Sequence, residues 1–392
     1  MSIATSKLGD QATIIMGQSP PGESYNKTGN GAPLLNGPSE FGPLNPLEKQ
    51  WTTSPTKFCQ AGDVLFCVRG ATAGRLNLAD KEYCLGRGLA AIRGKPGKFD
   101  NGFLRYVLAN GYSTFQSRGV GSTFININGH EFENFVVPAF PLSEQRRIAA
   151  VLDRAEALRA KRRAALAELE SLTESIFLDL FGDPATNPKL WPRTQLAELV
   201  SEFRYGTSNK SQSHGSPALR IPNVAGGAVD LAELKLVPVE PAELERLRLR
   251  DGDLLFVRTN GNPNYVGRCA VFDRARASES GFPPDEFIYA SYLIRARLAP
   301  NIILPVFLRE FLLGAEGRRQ LLARSKTSAG QFNINTESLG VILIPVPPIS
   351  LQQVFARQVT ALEKLKTSHV ASLAELDALF AALQHRAFRG EL

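Results

Sequence analysis

The sequence predicts an α+β protein made of two similar globular α/β domains and two long helices, the helices packing as an antiparallel coiled coil with internal pseudo-twofold symmetry. Three observations predict it. The 392 residues exceed one ordinary domain and suit two of roughly 150 residues with further segments between and after them. A shift of 207 positions lays Asn126-Ile127-Asn128 on Asn333-Ile334-Asn335 and then runs without a gap through Pro141 and Pro348, Gln145 and Gln352, to Phe181 and Phe388. The later part of each copy places its side chains at the alternating four-and-three spacing of a coiled-coil seam.

The expected order is a domain over 1–142, a helix over 143–182, a second domain over 183–348 and a second helix over 349–392. Upstream of the gapless stretch the copies diverge, yet Gly62-Asp-Val-Leu-Phe-Cys-Val-Arg69 resembles Gly252-Asp-Leu-Leu-Phe-Val-Arg258. Each reads as a turn feeding a buried strand that ends on arginine. Pro33-Leu-Leu-Asn36 and Pro217-Ala-Leu-Arg-Ile-Pro-Asn223 correspond more weakly.

Each helix begins after a proline, Pro141 or Pro348, with Ser143 or Ser350 placed to cap free backbone amides. In the first, Arg146 stands where a capping box needs Glu or Gln, so the serine acts alone. The first seam is Ile148, Leu152, Ala155, Arg159, Arg162, Leu166, Leu169, Thr173, Ile176 and Leu180. The second is Phe355, Val359, Leu362, Lys366, His369, Leu373, Leu376, Phe380, Leu383 and Ala387. Both are apolar at the ends and polar in the middle. Arg159, Arg162, Lys366 and His369 are either solvated or paired with acidic residues such as Glu156, Glu168 or Glu363, or with a docking protein. A helix of about 39 residues is roughly 58 Å long at about 1.5 Å per residue, too long to bury in one domain, so the other helix is the expected partner, the alternative being that each helix packs on its own domain.

Composition narrows the functional classes. With 43% hydrophobic and 21% charged residues the chain is folded rather than disordered. It has no signal-peptide pattern at Met1–Lys7 and no run of about 18 apolar residues, so a cytoplasmic location is expected. Cys59, Cys67, Cys84 and Cys269 lack Cys-x-x-Cys spacing, and none of the four histidines clusters with them. Structural thiols are expected, and no metal site. Of the net charge of +7, the two globular segments carry +3 each, so any anion binds there and not on the helices.

Catalytic signatures are missing. There is no phosphate-binding G-x-x-x-x-G-K-[ST] loop and no strand followed by G-x-G-x-x-G. Asn262-Pro-Asn-Tyr265 superficially resembles the Asn-Pro-Pro-Tyr loop of amino-methyltransferases, but its third residue differs and no cofactor glycine motif accompanies it, so it reads as a turn. Pro284-Asp285-Glu286 has no acidic-x-lysine partner and reads as a surface loop.

A duplicated basic domain on a fixed spacer measures two features a set distance apart. DNA suits this, because half-sites on one face of the duplex repeat every ~34–36 Å. Base edges are read by Arg, Asn, Gln, Ser and Thr while other cations hold phosphates. The candidate readers are Arg69, Arg75, Arg87, Arg118, Ser122 and Thr123 in the first domain. In the second they are Arg258, Asn260, Asn262, Arg268, Lys326, Ser328 and Gln331. Asn126 and Asn333, shared by halves that should read different bases, are expected to be structural.

The junction Pro138-Ala-Phe-Pro141-Leu-Ser-Glu-Gln145-Arg-Arg-Ile148, its helix to Phe181-Gly182, and Pro345-Val-Pro-Pro348-Ile-Ser-Leu-Gln352 with its helix to Phe388-Arg-Gly-Glu-Leu392 resemble the specificity subunits of type I restriction-modification systems. The resemblance covers essentially the whole length. It implies two target recognition domains, each reading one short half-site of a split double-stranded DNA target, and an antiparallel helical spacer that docks methyltransferase subunits. Ser143 to Phe181 and Ser350 to Phe388 then become the docking and spacer helices, with Ile148, Leu152, Leu166, Leu169, Phe355, Val359, Leu373 and Leu376 as their marker residues. Two modification subunits would supply S-adenosylmethionine and adenine methylation, and two restriction subunits ATP- and Mg-dependent translocation and cleavage. This chain itself is then expected to be non-catalytic and to bind no cofactor. Leu351, standing where the first copy has Glu144, implies some asymmetry in docking. The alternatives are the recognition part of a fused restriction-methylation enzyme and a coiled-coil scaffold that does not bind DNA.

Overall fold

The computed structural model describes residues 4–112, 114–115, 126–328 and 330–392. The chain forms two compact units: Met1–Ala164 with Ala371–Leu392, and Ala165–Val370. Each unit therefore contains a globular part and half of each long helix. No helix among the described residues is long and apolar enough to cross a membrane.

In the first unit a four-stranded antiparallel sheet runs in the order Ala12–Met16, Leu89–Gly94, Val64–Cys67, Leu76–Leu78. The run Val64 to Cys67 is apolar throughout because both faces of the sheet are covered. Val64 and Phe66 enter one core with Ile148 and Leu152, while Leu65 and Cys67 enter another with Leu35, Tyr83 and Leu85. The second unit repeats the order with Val200–Tyr205, Leu293–Leu298, Leu254–Val257 and Cys269–Val271. Leu254 and Phe256 point to one core and Leu255 and Val257 to the other.

Two further pairings recur. Ala32–Leu35 lies parallel to Tyr83–Leu85, as Ser216–Leu219 does to Ile288–Tyr289. Thr5–Lys7 pairs with Val136–Pro138, and Arg193–Gln195 with Leu343–Pro345, so that each globular part is closed just before its long helix starts. A buried ion pair is repeated too. Arg93 donates from Nε and Nη2 to the Asp63 carboxylate at 2.6 and 2.8 Å, and Arg297 does the same to Asp253 at 2.9 and 2.8 Å.

The last two residues of the Asn-Ile-Asn triplet have structural roles. Ile127 and Ile334 are buried, and their amides donate to the carbonyls of Val68 and Arg258, each at 2.9 Å. Asn128 and Asn335 cap short helices by accepting from the amides of Glu131 and Ser338 at 3.1 and 2.8 Å.

The long helices span Leu142–Phe181 and Ile349–Phe388. Within the first unit they run antiparallel: Arg159 pairs with Asp377 at 2.6 Å and lies over the Phe380 ring, while Arg147 donates to the carbonyl of Leu392. Within the second unit Phe355 meets Phe177 and Phe181 edge-on at 5.6 and 5.4 Å. The polar middle of the first seam is paired, since Arg159 also binds Glu156. Glu363 instead pairs with Arg309 of the globular part at 3.0 Å.

The capping role expected of Ser143 and Ser350 is corrected. Both lie inside the first helical turn, and the carbonyls of Pro141 and Pro348 take the first amides: those of Glu144 and Gln145 at 2.9 and 3.0 Å, and of Leu351 and Gln352 at 3.0 and 3.2 Å. The glutamine that follows fastens the junction. Gln145 Nε2 donates to the carbonyls of Lys98 and Phe140, and its Oε1 accepts from the Asp100 amide at 2.8 Å. Gln352 repeats this with Ile302, Pro347 and the Leu304 amide. Both glutamines are buried. Gln352→Ala leaves three backbone groups without this partner, that of Pro347 buried and the other two part-buried, and should cost about 2–3 kcal/mol in urea unfolding. Gln352→Glu, which keeps the shape but cannot donate, should not restore the loss.

Candidate nucleic-acid interface

The loop ends of the two sheets hold the candidate readers, and strand register decides which correspond. Cys67 pairs with Leu89, and Val257 with Leu293. Cys67 and Val257 are therefore equivalent, as are Val68 and Arg258, and then Arg69 and Thr259. The amides of Ile127 and Ile334 confirm this register, bonding to Val68 and Arg258. The sequence match of Arg69 to Arg258 is thus off by one residue, which in an extended chain turns a side chain to the opposite face. Arg75 and Arg268 are true equivalents: their carbonyls accept from the amides of Cys67 and Val257 at 2.9 and 2.8 Å. Each follows a glycine in the left-handed region, Gly74 at φ +93° and Gly267 at φ +73°. A Cβ on Gly267 would come within 2.8 Å of Leu321.

In the second unit, Thr259–Asn260, Gln331–Asn333 and Lys326–Ser328 form a small antiparallel sheet that brings Asn260, Lys326, Ser328 and Gln331 onto one element beside Arg258. Thr259 Oγ1 and Gln331 Oε1 lie 3.0 Å apart across it. Arg258 stacks over Tyr205 at 4.8 Å and donates to the carbonyl of Ser291 at 3.3 Å. Arg268 lies over Tyr265 at 5.7 Å. Asn260 and Asn262 use their side-chain oxygens to accept from the amides of Asn262 and Asn264, at 2.9 and 3.0 Å. They shape the loop as Asx turns.

That loop is held from beneath by a residue the sequence reading missed. Arg318 donates to the carbonyls of Val266 at 2.9 Å and of Pro263 and Asn264 at 3.3 Å. Burial, and then repulsion from Arg268, pull its pKa below the usual arginine value. Nothing in its helical surroundings, Ala315–Arg324, marks it in sequence, because the loop it holds lies about fifty positions earlier. Arg318→Ala should raise amide exchange across residues 264–268 and cost about 1.5–3 kcal/mol of stability, the scale of hydrogen bonds to a charged donor.

In the first unit Arg69, Arg75 and Arg87 are exposed on adjoining turns, Arg69 bridging to Asn126 and Val68 donating to the carbonyl of Gly88. Arg118, Ser122 and Thr123 lie outside the described residues. On the long helices, Ile148 and Leu152 are buried in the first core, and Phe355 and Val359 in the second. These four therefore pack within the chain. Leu166, Leu169, Leu373 and Leu376 are half-buried. The exposed helical leucines include Leu158 and Leu379 in the first unit and Leu172 and Leu365 in the second, each one position before a seam residue.

All four cysteines are buried and free, and burial pushes the thiols of Cys59 and Cys269 up to about 12, the behaviour of structural rather than reactive thiols. Among the described residues no group of His, Cys, Asp and Glu is placed to hold a metal ion.

One frame built twice, with cationic and amide side chains on its loops and half of an antiparallel helix pair on each copy, defines a duplicated α/β module with a helical spacer. Residues 3–171 match the family model described as the type I restriction modification DNA specificity domain. The chain is 28% identical over 295 residues to the type I restriction enzyme EcoKI specificity subunit of Escherichia coli K12, which covers 70% of this chain and 62% of that protein. It is 42% identical over 136 residues to the putative type I restriction enzyme MjaX specificity subunit of Methanocaldococcus jannaschii, covering 35% of this chain and 32% of that one. The fold is similar to the crystal structure of the type I restriction-modification system S subunit from M. genitalium, with a TM-score of 0.63 at 16% identity over 98% of this chain and 96% of that one. The first part of the chain, residues 3–171, thus matches the type I restriction modification DNA specificity domain, and the chain as a whole is similar to type I specificity subunits.

Proposed function

We propose that this chain reads DNA sequence for a type I restriction-modification complex, each unit recognising one half-site of a split double-stranded target. The helix pair sets the gap between half-sites. Two modification subunits supply S-adenosylmethionine and adenine methylation, and two restriction subunits supply ATP- and Mg-dependent translocation and cleavage, with no reacting group from this chain. One observation carries the reading: the two units share a backbone frame down to single hydrogen bonds, yet the side chains on its loops differ. Arg69 stands where the second unit has Thr259, and Gly88 where it has Tyr292. A scaffold has no use for such divergence on so well-kept a frame, whereas a reader of two different half-sites requires it.

The exposed helical leucines, Leu158 and Leu379 in one unit and Leu172 and Leu365 in the other, are the apolar side chains each unit offers to a modification subunit. The candidate readers Arg69, Arg75, Arg87, Arg258, Arg268 and Lys326 divide between phosphate and base contacts. Binding of the full chain to its duplex target, measured against salt, should fall with a log–log slope of about −0.9 for each phosphate held. Affinity indifferent to salt would contradict DNA reading and favour a protein-binding scaffold. S-adenosylmethionine binding by the isolated chain would favour a fused-enzyme origin.

A further inference from the structure

Beside Arg258, the second unit has an open cleft of about 430 Å³ whose lining includes Thr207, Asn209, Arg220, Lys235, Ser291 and Tyr292. Of these residues only Arg220 lies in a stretch matched by the repeat, the weak correspondence of residues 217–223 to 33–36. Two cations, an amide and hydroxyls face a space that no carboxylate lines among the described residues. Arg220 is half-buried there: one of its terminal nitrogens donates to the carbonyl of Glu233 at 3.3 Å, and its Nε is buried without a hydrogen-bond partner. A buried guanidinium donor left open is costly unless an acceptor arrives.

The same place in the first unit is built on the same backbone. The Gly86 amide donates to the carbonyl of Leu35 at 2.8 Å, as the Ala290 amide does to that of Leu219 at 2.9 Å. The Val68 amide donates to Gly88 at 2.9 Å, as the Arg258 amide does to Tyr292 at 2.9 Å. Asn36 is thus the counterpart of Arg220, Arg87 of Ser291, and Gly88 of Tyr292. The frame is kept while a cation moves from one rim to the other and an aromatic ring is gained.

We propose that this cleft is the specificity-determining pocket of the second unit, Arg220 reading the acceptor edge of a guanine, Tyr292 packing against the neighbouring base and Lys235 holding a phosphate. The proposal rests on the DNA-reading function above and names where, in the second unit, that reading takes place. The planar guanidinium matches the O6 and N7 acceptors of guanine, and an exposed aromatic ring fits a base face or a thymine methyl. Lys235, exposed and flexible, suits a point charge on the backbone.

The test is selection of bound duplexes from a random-sequence library by the full-length chain and by Arg220→Gln, Tyr292→Ala and Lys235→Ala variants. The wild type should enrich a split motif. Arg220→Gln should lose a guanine preference at one position of one half-site, Tyr292→Ala should relax an adjacent position, and the other half-site should stay unchanged in both. Lys235→Ala should weaken all sequences alike and make the salt slope shallower by about 1. Tyr292 is 59% exposed, so its alanine variant tests the cleft even if Arg220→Gln proves unstable. A wild type that enriches a split motif, with both half-sites unaltered in Arg220→Gln and Tyr292→Ala, overturns the cleft assignment alone. A wild type that enriches no motif overturns the DNA-reading function and the cleft with it.

Discussion

Asp253→Ala should destabilise the second unit by about 3–5 kcal/mol, and by more than Asp63→Ala destabilises the first. Both carboxylates are buried, and each accepts two bonds from one arginine and one from a backbone amide, that of Gln60 or Arg250 at 2.8 Å. Removing either leaves a guanidinium that is about three-quarters covered without its counter-charge. The second unit has more to lose. Arg295, fully buried, reaches the Asp253 carboxylate at 4.0 Å and is otherwise held by Glu202 and the carbonyls of Arg246 and Arg248. At the equivalent position the first unit has Ala91. Amide exchange should show Leu254–Val257 and Leu293–Leu298 losing protection in Asp253→Ala while Val64–Cys67 keeps it. Equal losses in both single variants would mean that Arg295 gains nothing from Asp253.

Phe355→Ala should cost about 3–5 kcal/mol and loosen the second helix from its unit. Phe355 is fully buried among Phe177 and Phe181, and Phe307 stacks on Phe177 at 5.4 Å. One side chain therefore joins both helices to the globular part. Its counterpart Ile148 does the same work in the first core with a smaller side chain, so Ile148→Ala should cost less, about 2–4 kcal/mol. Denaturant midpoints of the two variants rank them; Phe355→Leu, which refills most of the volume, should recover more than half of the loss.

The repeat and the helices were legible in sequence because both rest on spacing alone. A gapless match and a four-and-three stripe survive without knowledge of any long-range contact. The loop ends were less legible. Matching Arg69 to Arg258 required a one-residue gap, whereas the strands align without one; what fixes the register is the ladder from Cys67 to Leu89 and from Val257 to Leu293, which pairs residues more than twenty positions apart. The capping serines misled because the proline carbonyls take the first amides of each helix, while the buried glutamines fasten the junction to the globular part instead. The cleft at Arg220 was touched in sequence only by the weak match of residues 217–223 to 33–36, and its other walls were hidden for a different reason. Its walls come from residues spread over 207–292 and meet only because Ser216–Leu219 lies parallel to Ile288–Tyr289, a pairing that leaves no periodic trace.

In the proposed function the helix pair sets the gap between the two half-sites. That role is tested most directly by deleting one paired heptad, residues 160–166 with 370–376, and mapping the methylated sites produced by the chain with its modification subunits. Seven residues shorten a helix by about 10 Å, which corresponds to roughly three base pairs at about 3.4 Å each. The bases of both half-sites should be kept while the gap between them shrinks by that amount. A changed half-site, or an unchanged gap, would contradict that role.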